Sequence, residues 1–466
     1  MKKYDLIIIG GGAGAFAAAI RASELKTKTA LVNKGLPLGG TCVNVGCVPS
    51  KTLIYAGEVL HLAKNHGIPG IDLELKSFDF QKVVQDELAL VERLKNDKYE
   101  QTLKSLKNLD FIEGKARFVS PTEIEVNGEK LTADKFIIAV GSTANVPPIE
   151  GIKETGYLTH VEALKIEKQP KELVIVGAGA IGLEFAQMYA RLGTKVVLLE
   201  YGSQIFRGEP ELTDRLAEIL TKEGVALHTN AKATKARIEN GKKVLTFEAN
   251  GKENEVSADE ILLAAGKTPN TKDLGVDRAG IEIDKRQAIV VNQFFQTPQP
   301  HIYAVGDVVN LPLRQEPSAG REGTLAAENA LTGAKNSIDY NTVPWTIFTD
   351  PQLAGVGYTE ETQLKEVGVC ACRTVSFSDV PKAMIMKRTE GLIKMTIHPK
   401  TKRILGVHIL APNAGEIIAQ AMVLIKNKNT IDDVVNSLPM FPTLSEAIKL
   451  VALSFTRDIS KLSCCI

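Results

Sequence analysis

Cys42 and Cys47 stand five positions apart in residues 39–51, GGTCVNVGCVPSK. A Cys-x4-Cys pair closes a small disulfide ring if the backbone bends, and the Gly, Asn and Pro residues here permit that bend. The run that follows reads as a helix. Thiolates at its start feel the positive end of the dipole, which predicts depressed pKa values and nucleophilicity near neutral pH. A structural disulfide and half of a zinc site are the blander alternatives. Zinc requires a second Cys or His pair of matching spacing, and the histidines (61, 66, 160, 228, 301, 398, 408) supply none. A redox dithiol is the stronger reading, provided an electron donor lies beside it.

Two stretches can hold such a donor. Residues 4–9, YDLIII, read as a buried strand and run into Gly10-Gly11-Gly12-Ala13-Gly14-Ala15 and an Ala-rich helix. This strand, glycine loop and helix form a dinucleotide motif in which Gly10, Gly12, Gly14 and Ala15 cradle a pyrophosphate on backbone N–H groups. Its second strand ends at Asn33, where such folds favour an acid; an amide still hydrogen-bonds a ribose hydroxyl. A second motif begins at Glu172 and carries the full G-x-G-x-x-G as Gly177, Gly179 and Gly182. Its second strand ends at Glu200, and a carboxylate there repels a 2′-phosphate, so NADH is the expected donor, although Arg207 is close enough to meet a phosphate. Two such motifs imply two different dinucleotides. Further cofactor candidates are Gly40 and Thr41 beside the dithiol, Gly141 and Gly266 at the ends of two apolar strands, and Asp307. That acid can reach a cofactor's ribityl chain or merely cap a helix.

The elements that must position these residues predict an α/β chain. At 466 residues, length alone gives about three domains. The expected division is a first Rossmann-like domain from 1–150 with 271–340, a second from 151–270, and an α+β dimerisation domain from 341–466. Residues 52–64 and 83–106, the latter containing Tyr99, read as helices, 111–126 as a small β-meander, and 322–330 as a helix. Beyond 341, antiparallel strands are followed by helices over 417–426 and 445–455. Cys370 and Cys372 alternate along a probable strand and read as structural neighbours without chemistry. A net charge of +1 gives no sign of a nucleic-acid or membrane-surface partner. The apolar start of the chain is broken by Asp5 and glycines, unlike a secretory signal, and no stretch reaches the ~18 apolar residues of a membrane span. The cysteines fall as three close pairs, 42/47, 370/372 and 464/465, which points to a cytoplasmic address.

Together these residues resemble the pyridine nucleotide–disulfide oxidoreductases over nearly the whole chain. The resemblance implies FAD on the first motif, NADPH or NADH on the second, and the disulfide against the flavin. Cys47 is then the flavin-proximal thiol and Cys42 the interchange thiol. Lys51 pairs with Glu184 beside the flavin, and Asp307 binds the ribityl and pyrophosphate region.

The family's dithiol reductases carry His-x-His-Pro-Thr-x-Ser-Glu near the C-terminus, whose second His protonates the leaving thiolate. Here the segment runs Pro439-Met440-Phe441-Pro442-Thr443-Leu444-Ser445-Glu446, so Phe441 stands in place of that His. General acid–base catalysis is worth ~10²–10⁴-fold, and ordinary disulfide turnover should suffer accordingly. The terminal Leu462-Ser463-Cys464-Cys465-Ile466 resembles the mercuric reductases, which lack the His. That resemblance implies a Hg(II) thiolate substrate, bound by Cys464 and Cys465 and passed to Cys42 and Cys47 in a homodimer with active sites shared between subunits. Soft thiolates suit this soft cation. Tyr99 matches a tyrosine near the bound metal, whereas a second such tyrosine falls at Phe441. Two further departures are Glu200, where those enzymes avoid an acid, and no N-terminal metal-carrying domain, which leaves the catalytic core. The alternatives are a reductase of disulfides or other small acceptors, and a thiol-rich buffer of soft cations without turnover.

Overall fold

The structure is a computed structural model and describes residues 2–463. Cys464 and Cys465 lie outside the described residues.

The strand Lys2–Ile9 is the centre of the first sheet. Leu6, Ile7 and Ile8 are fully buried, as a strand covered on both faces must be. It pairs in parallel with Thr29–Asn33 on one side and Glu129–Ile138 on the other, and Leu109–Glu113 extends the parallel edge. Glu129–Ile138 also receives Ile302–Ala304 in parallel, so the chain returns to this sheet after a long excursion. Arg117–Ser120, Glu123–Val126 and Glu129–Ile138 form an antiparallel meander. The meander expected over 111–126 is thus displaced: Phe111 belongs to the parallel sheet, because its strand follows a crossover helix rather than a hairpin.

The second sheet is wholly parallel, in the order Ala226–His228, Lys195–Leu199, Glu172–Val176 and Glu260–Leu263. The helix Ala180–Arg191 connects its first two strands in sequence. Its residue Gly182 is obligatory, since a Cβ there would stand 1.8 Å from the Gly177 carbonyl oxygen. The chain leaves the first sheet and comes back through two adjacent short strands, Ser142–Ala144 and Lys267–Pro269, paired antiparallel.

The third sheet is antiparallel, in the order Trp345–Ile347, Gln352–Gly357, Ile404–Ala411, Leu392–Ile397, Cys372–Ser376. Helices Ala414–Lys426 and Glu446–Leu453 cover it, and Phe377, Met395, Val407, Ile448 and Val451 fill the core between them. Arg191 locks this unit to the second sheet's helix by hydrogen bonds to Asp350 (Nη1 to Oδ2, 2.9 Å) and Glu223.

Helix boundaries differ from expectation: 52–64 is Cys47–Asn65, 417–426 is Ala414–Lys426 and 445–455 is Glu446–Leu453. The segment 80–105 is helical throughout, but Asn96–Glu100 winds as a π-helical turn. The helix expected over 322–330 spans Glu316–Thr332, with Pro317 in its first turn, where a missing N–H costs nothing. No helix among the described residues is long and apolar enough to cross a membrane.

Candidate active site

One cavity of about 580 Å³ gathers most of the chemistry-bearing residues. Helices Ala13–Glu24, Cys47–Asn65, Ala180–Arg191 and Glu316–Thr332 all begin at its wall, so unpaired backbone N–H groups and dipole positive ends converge there. Such a setting suits an anionic dinucleotide and a thiolate alike. Gly12, Gly14, Thr41, Cys42, Cys47, Lys51, Gly141, Glu184 and Asp307 line it, and Ala180 and Ile181 bring the first turn after the second motif to the same space. Both nucleotide motifs therefore reach one chamber, which the cysteines also line.

The cysteine segment is attached to the first phosphate loop by backbone. The Gly39 N–H donates to the Gly11 carbonyl at 2.9 Å. Gly40 has φ +58°, and a Cβ there would stand 2.6 Å from the Gly12 Cα. Glycine is required at this seam on both counts, conformation and close approach.

Cys42 lies in the short helix Gly40–Val45, and Cys47 is the first residue of Cys47–Asn65. Both are free thiols. They share a hydrogen bond that splits their titration. The Cys47 pKa falls to about 7, first because Cys42 hydrogen-bonds to it and then because Lys51 is near, against the opposing effect of burial. Cys42 moves the other way, pushed up by the same hydrogen bond and by burial. The dipole expectation for both thiols thus needs correction: only Cys47 is depressed, because two thiolates in contact cannot both ionise cheaply.

Lys51 Nζ hydrogen-bonds Glu184 Oε2 at 2.7 Å. The other carboxylate oxygen accepts the Phe348 backbone N–H at 2.9 Å, and the Lys51 ammonium sits 4.6 Å from the Phe348 ring centroid. Glu184 is buried, so the pair holds its geometry rather than swinging in solvent. Asp307, in the turn Gly306–Val308, accepts a hydrogen bond from Ser142 Oγ at 2.7 Å. Tyr99 does not line the cavity, but its ring is the nearest neighbour to a Cβ built at Gly39, which does. It stacks edge-on against Phe16, ring centroids 5.0 Å apart, and burial, with Cys42 second, raises its hydroxyl pKa to about 12. The π-turn that carries it is a device found often at functional sites.

Other expected cofactor residues stand behind the wall. Gly10 ends the first strand, and Ala15 is buried in the helix that follows. Asn33 packs over Gly11 and donates from Nδ2 to the Leu36 carbonyl at 3.0 Å. Glu200 accepts the backbone N–H groups of Ala178 and Gly202, each at 2.7 Å, which fixes its carboxylate against the loop of Gly177 and Gly179. Gly266 precedes the strand Lys267–Pro269. The space beside Gly141 and Gly179 is open, since a Cβ at either meets nothing within 4 Å. Glycine cradles, open space and convergent helix starts fit two dinucleotides.

The lining also includes His160, which the sequence placed only among histidines without ligand spacing, and Lys267, Arg314 and Glu316, which it did not single out. His160 is neutral, its pKa lowered to about 4 by burial and then by Lys267. A capping box, Thr159 with Glu162, marks its helix and is readable as T-x-x-E. Phe441 is 42% exposed, beside the exposed Leu438 and Met440. Glu446 accepts the Thr443 N–H at 3.1 Å.

Residues 4–333 match the pyridine nucleotide-disulphide oxidoreductase family, and residues 343–452 match its dimerisation domain. The chain is 38% identical to a mercuric reductase of Staphylococcus aureus, across 99% of this chain and 84% of that one. It is 37% identical to a mercuric reductase of Streptomyces lividans, across 99% and 98%. Among solved structures it is similar to the HOCl-induced flavoprotein disulfide reductase RclA of Escherichia coli, with TM-score 0.86 and 28% identity over 97% of this chain and all of that one.

Proposed function

The chain belongs to the pyridine nucleotide-disulphide oxidoreductases, and from that premise we propose that it reduces Hg(II) to Hg(0). Its cofactors are FAD and NAD(P)H. FAD, when bound, supplies an electron pair that it has received as hydride from the nicotinamide. The overall reaction balances as NAD(P)H plus Hg(II) giving NAD(P)⁺, a proton and Hg(0).

The chain's own residues do the rest. Gly12, Gly14, Thr41 and Asp307 would hold FAD, and Gly177, Gly179, Gly182 and Glu200 the nicotinamide dinucleotide. Cys47, half ionised near neutral pH, is the first ligand for the incoming cation. Cys42 gives up its proton only as sulfur–mercury bonding replaces it. Lys51 and Glu184 keep a fixed charge pair beside the thiols. Cys464 and Cys465 collect Hg(II) and deliver it from the partner subunit of a homodimer, with Tyr99 beside the delivery point.

Phe441 carries this reading. A disulfide acceptor leaves as a thiolate that must be protonated, and a phenyl ring cannot do that. Reduction of a thiolate-bound cation releases no such group. The opposing reading, a disulfide or other small-acceptor reductase, draws on the similarity to the E. coli disulfide reductase. The test mixes the purified flavoprotein with NADH or NADPH and Hg(II) under excess thiol, following nicotinamide absorbance and volatile mercury together. Metal-dependent oxidation with mercury release is expected. Oxidation indifferent to metal, or driven by a disulfide, would overturn the proposal.

A further inference from the structure

Cys370 and Cys372 flank Ala371 where the edge strand of the third sheet, Cys372–Ser376, begins. Alternation along an extended chain turns both side chains to one face. Their Sγ atoms lie 3.0 Å apart, joined by a hydrogen bond from Cys370 to Cys372 and not by a disulfide. Glu360, the first residue of the helix Glu360–Val367, completes the group: its carboxylate and both sulfurs lie within 4.8 Å of one another. All three residues are half-buried and none lines the catalytic cavity.

The surroundings favour a cation. Lys394 Nζ holds Glu360 at 2.6 Å, Glu209 at 3.0 Å and Glu211 at 3.4 Å, so three carboxylates face one ammonium. His408, near Glu209, adds no charge at neutral pH, because burial holds its pKa near 4. The Lys394 contact also fixes the orientation of the Glu360 carboxylate, as an outer partner does for a metal ligand. Cys370 is raised to about 12, first by burial and then by its hydrogen bond to Cys372. A soft dication binds a thiol by displacing its proton.

We propose that Glu360, Cys370 and Cys372 form a second soft-cation site, with two sulfurs and one carboxylate, for a thiophilic d¹⁰ dication such as Cd(II) or Hg(II). Tetrahedral zinc, with metal–sulfur bonds of ~2.3 Å, already sets two sulfurs about 3.8 Å apart, and a larger d¹⁰ dication needs a wider gap, so χ1 rotation at the sheet edge opens the pair on binding. The site does not depend on the reading of the catalytic dithiol.

The chain holds six cysteines, so replacing Cys42, Cys47, Cys464 and Cys465 with Ser leaves this pair alone. Titrating that flavin-loaded protein with Cd(II) should give one equivalent bound and an ultraviolet thiolate-to-metal band. Adding Cys372→Ser should abolish the band, and Glu360→Gln should weaken binding about 10-fold. If the multiple variant fails to fold, equilibrium dialysis of otherwise wild-type protein against Cd(II) reads the same site, and Cys370→Ser with Cys372→Ser should lose one equivalent. An unchanged stoichiometry would overturn the proposal. So would protein purified without reductant that is 2 Da lighter through a Cys370–Cys372 bond and takes up no Cd(II), which would make the pair a disulfide.

Discussion

The two described cysteine pairs are close neighbours in sequence and opposites in setting. Cys47 opens a 19-residue helix with Lys51 one turn on, and its pKa drops to about 7. Cys370 precedes an edge strand beside a carboxylate, and its pKa climbs to about 12. Residue type, short spacing and a hydrogen bond between the sulfurs are shared; that bond lowers Cys47, with help from Lys51, whereas burial first and then the bond raise Cys370, with Glu360 adding to it. An ammonium and a helix start favour a thiolate that attacks and conducts. A carboxylate favours a thiol that waits for a metal. What surrounds each pair thus adds to the hydrogen bond within it in setting the chemistry.

The largest effect should come from removing each pair in turn. Cys42→Ala or Cys47→Ala should cost on the order of 10³-fold or more in Hg(II)-dependent turnover, whereas Cys370→Ser with Cys372→Ser should leave turnover within about twofold. Equal losses in steady-state assays would erase the distinction. Next comes the charge. Alkylation of the reduced enzyme by iodoacetamide should rise with pH through a midpoint near 7, because the lowered Cys47 pKa supplies thiolate above that value. Lys51→Met should move this midpoint up by about one unit, slowing the reaction at pH 7 several-fold. A midpoint that stays put would mean the Cys42 hydrogen bond alone sets it. Glu200→Gln is the smallest and serves as a control. It should shift the kcat/KM ratio toward NADPH by about 10-fold while leaving both cysteine pairs' titrations untouched.

Much of this architecture is legible because backbone geometry demands particular residues. Gly182 and Gly40 occupy places where any side chain collides, so their spacing announces the loops they form. The pairing of Lys51 with Glu184, 133 positions apart, is invisible to periodicity and came only from the family likeness. Glu360 beside Cys370 escaped notice for the same reason: packing of a helix start on a sheet edge brings them together, and nothing local in the sequence encodes it. The π-turn at Tyr99 was equally hidden, since its residues keep a helical pattern. The helix start at Glu316 was obscured by the glycines of its first turns.

The seam between Gly12 and Gly40 has a genetic consequence. Cofactor loading and dithiol placement share one strip of backbone, so they form a single target for mutation. A side chain at Gly40 should yield protein that is both pale and inactive, and the two defects should revert together. Screens that sort variants by colour and by Hg(II)-dependent turnover should find them inseparable at this locus.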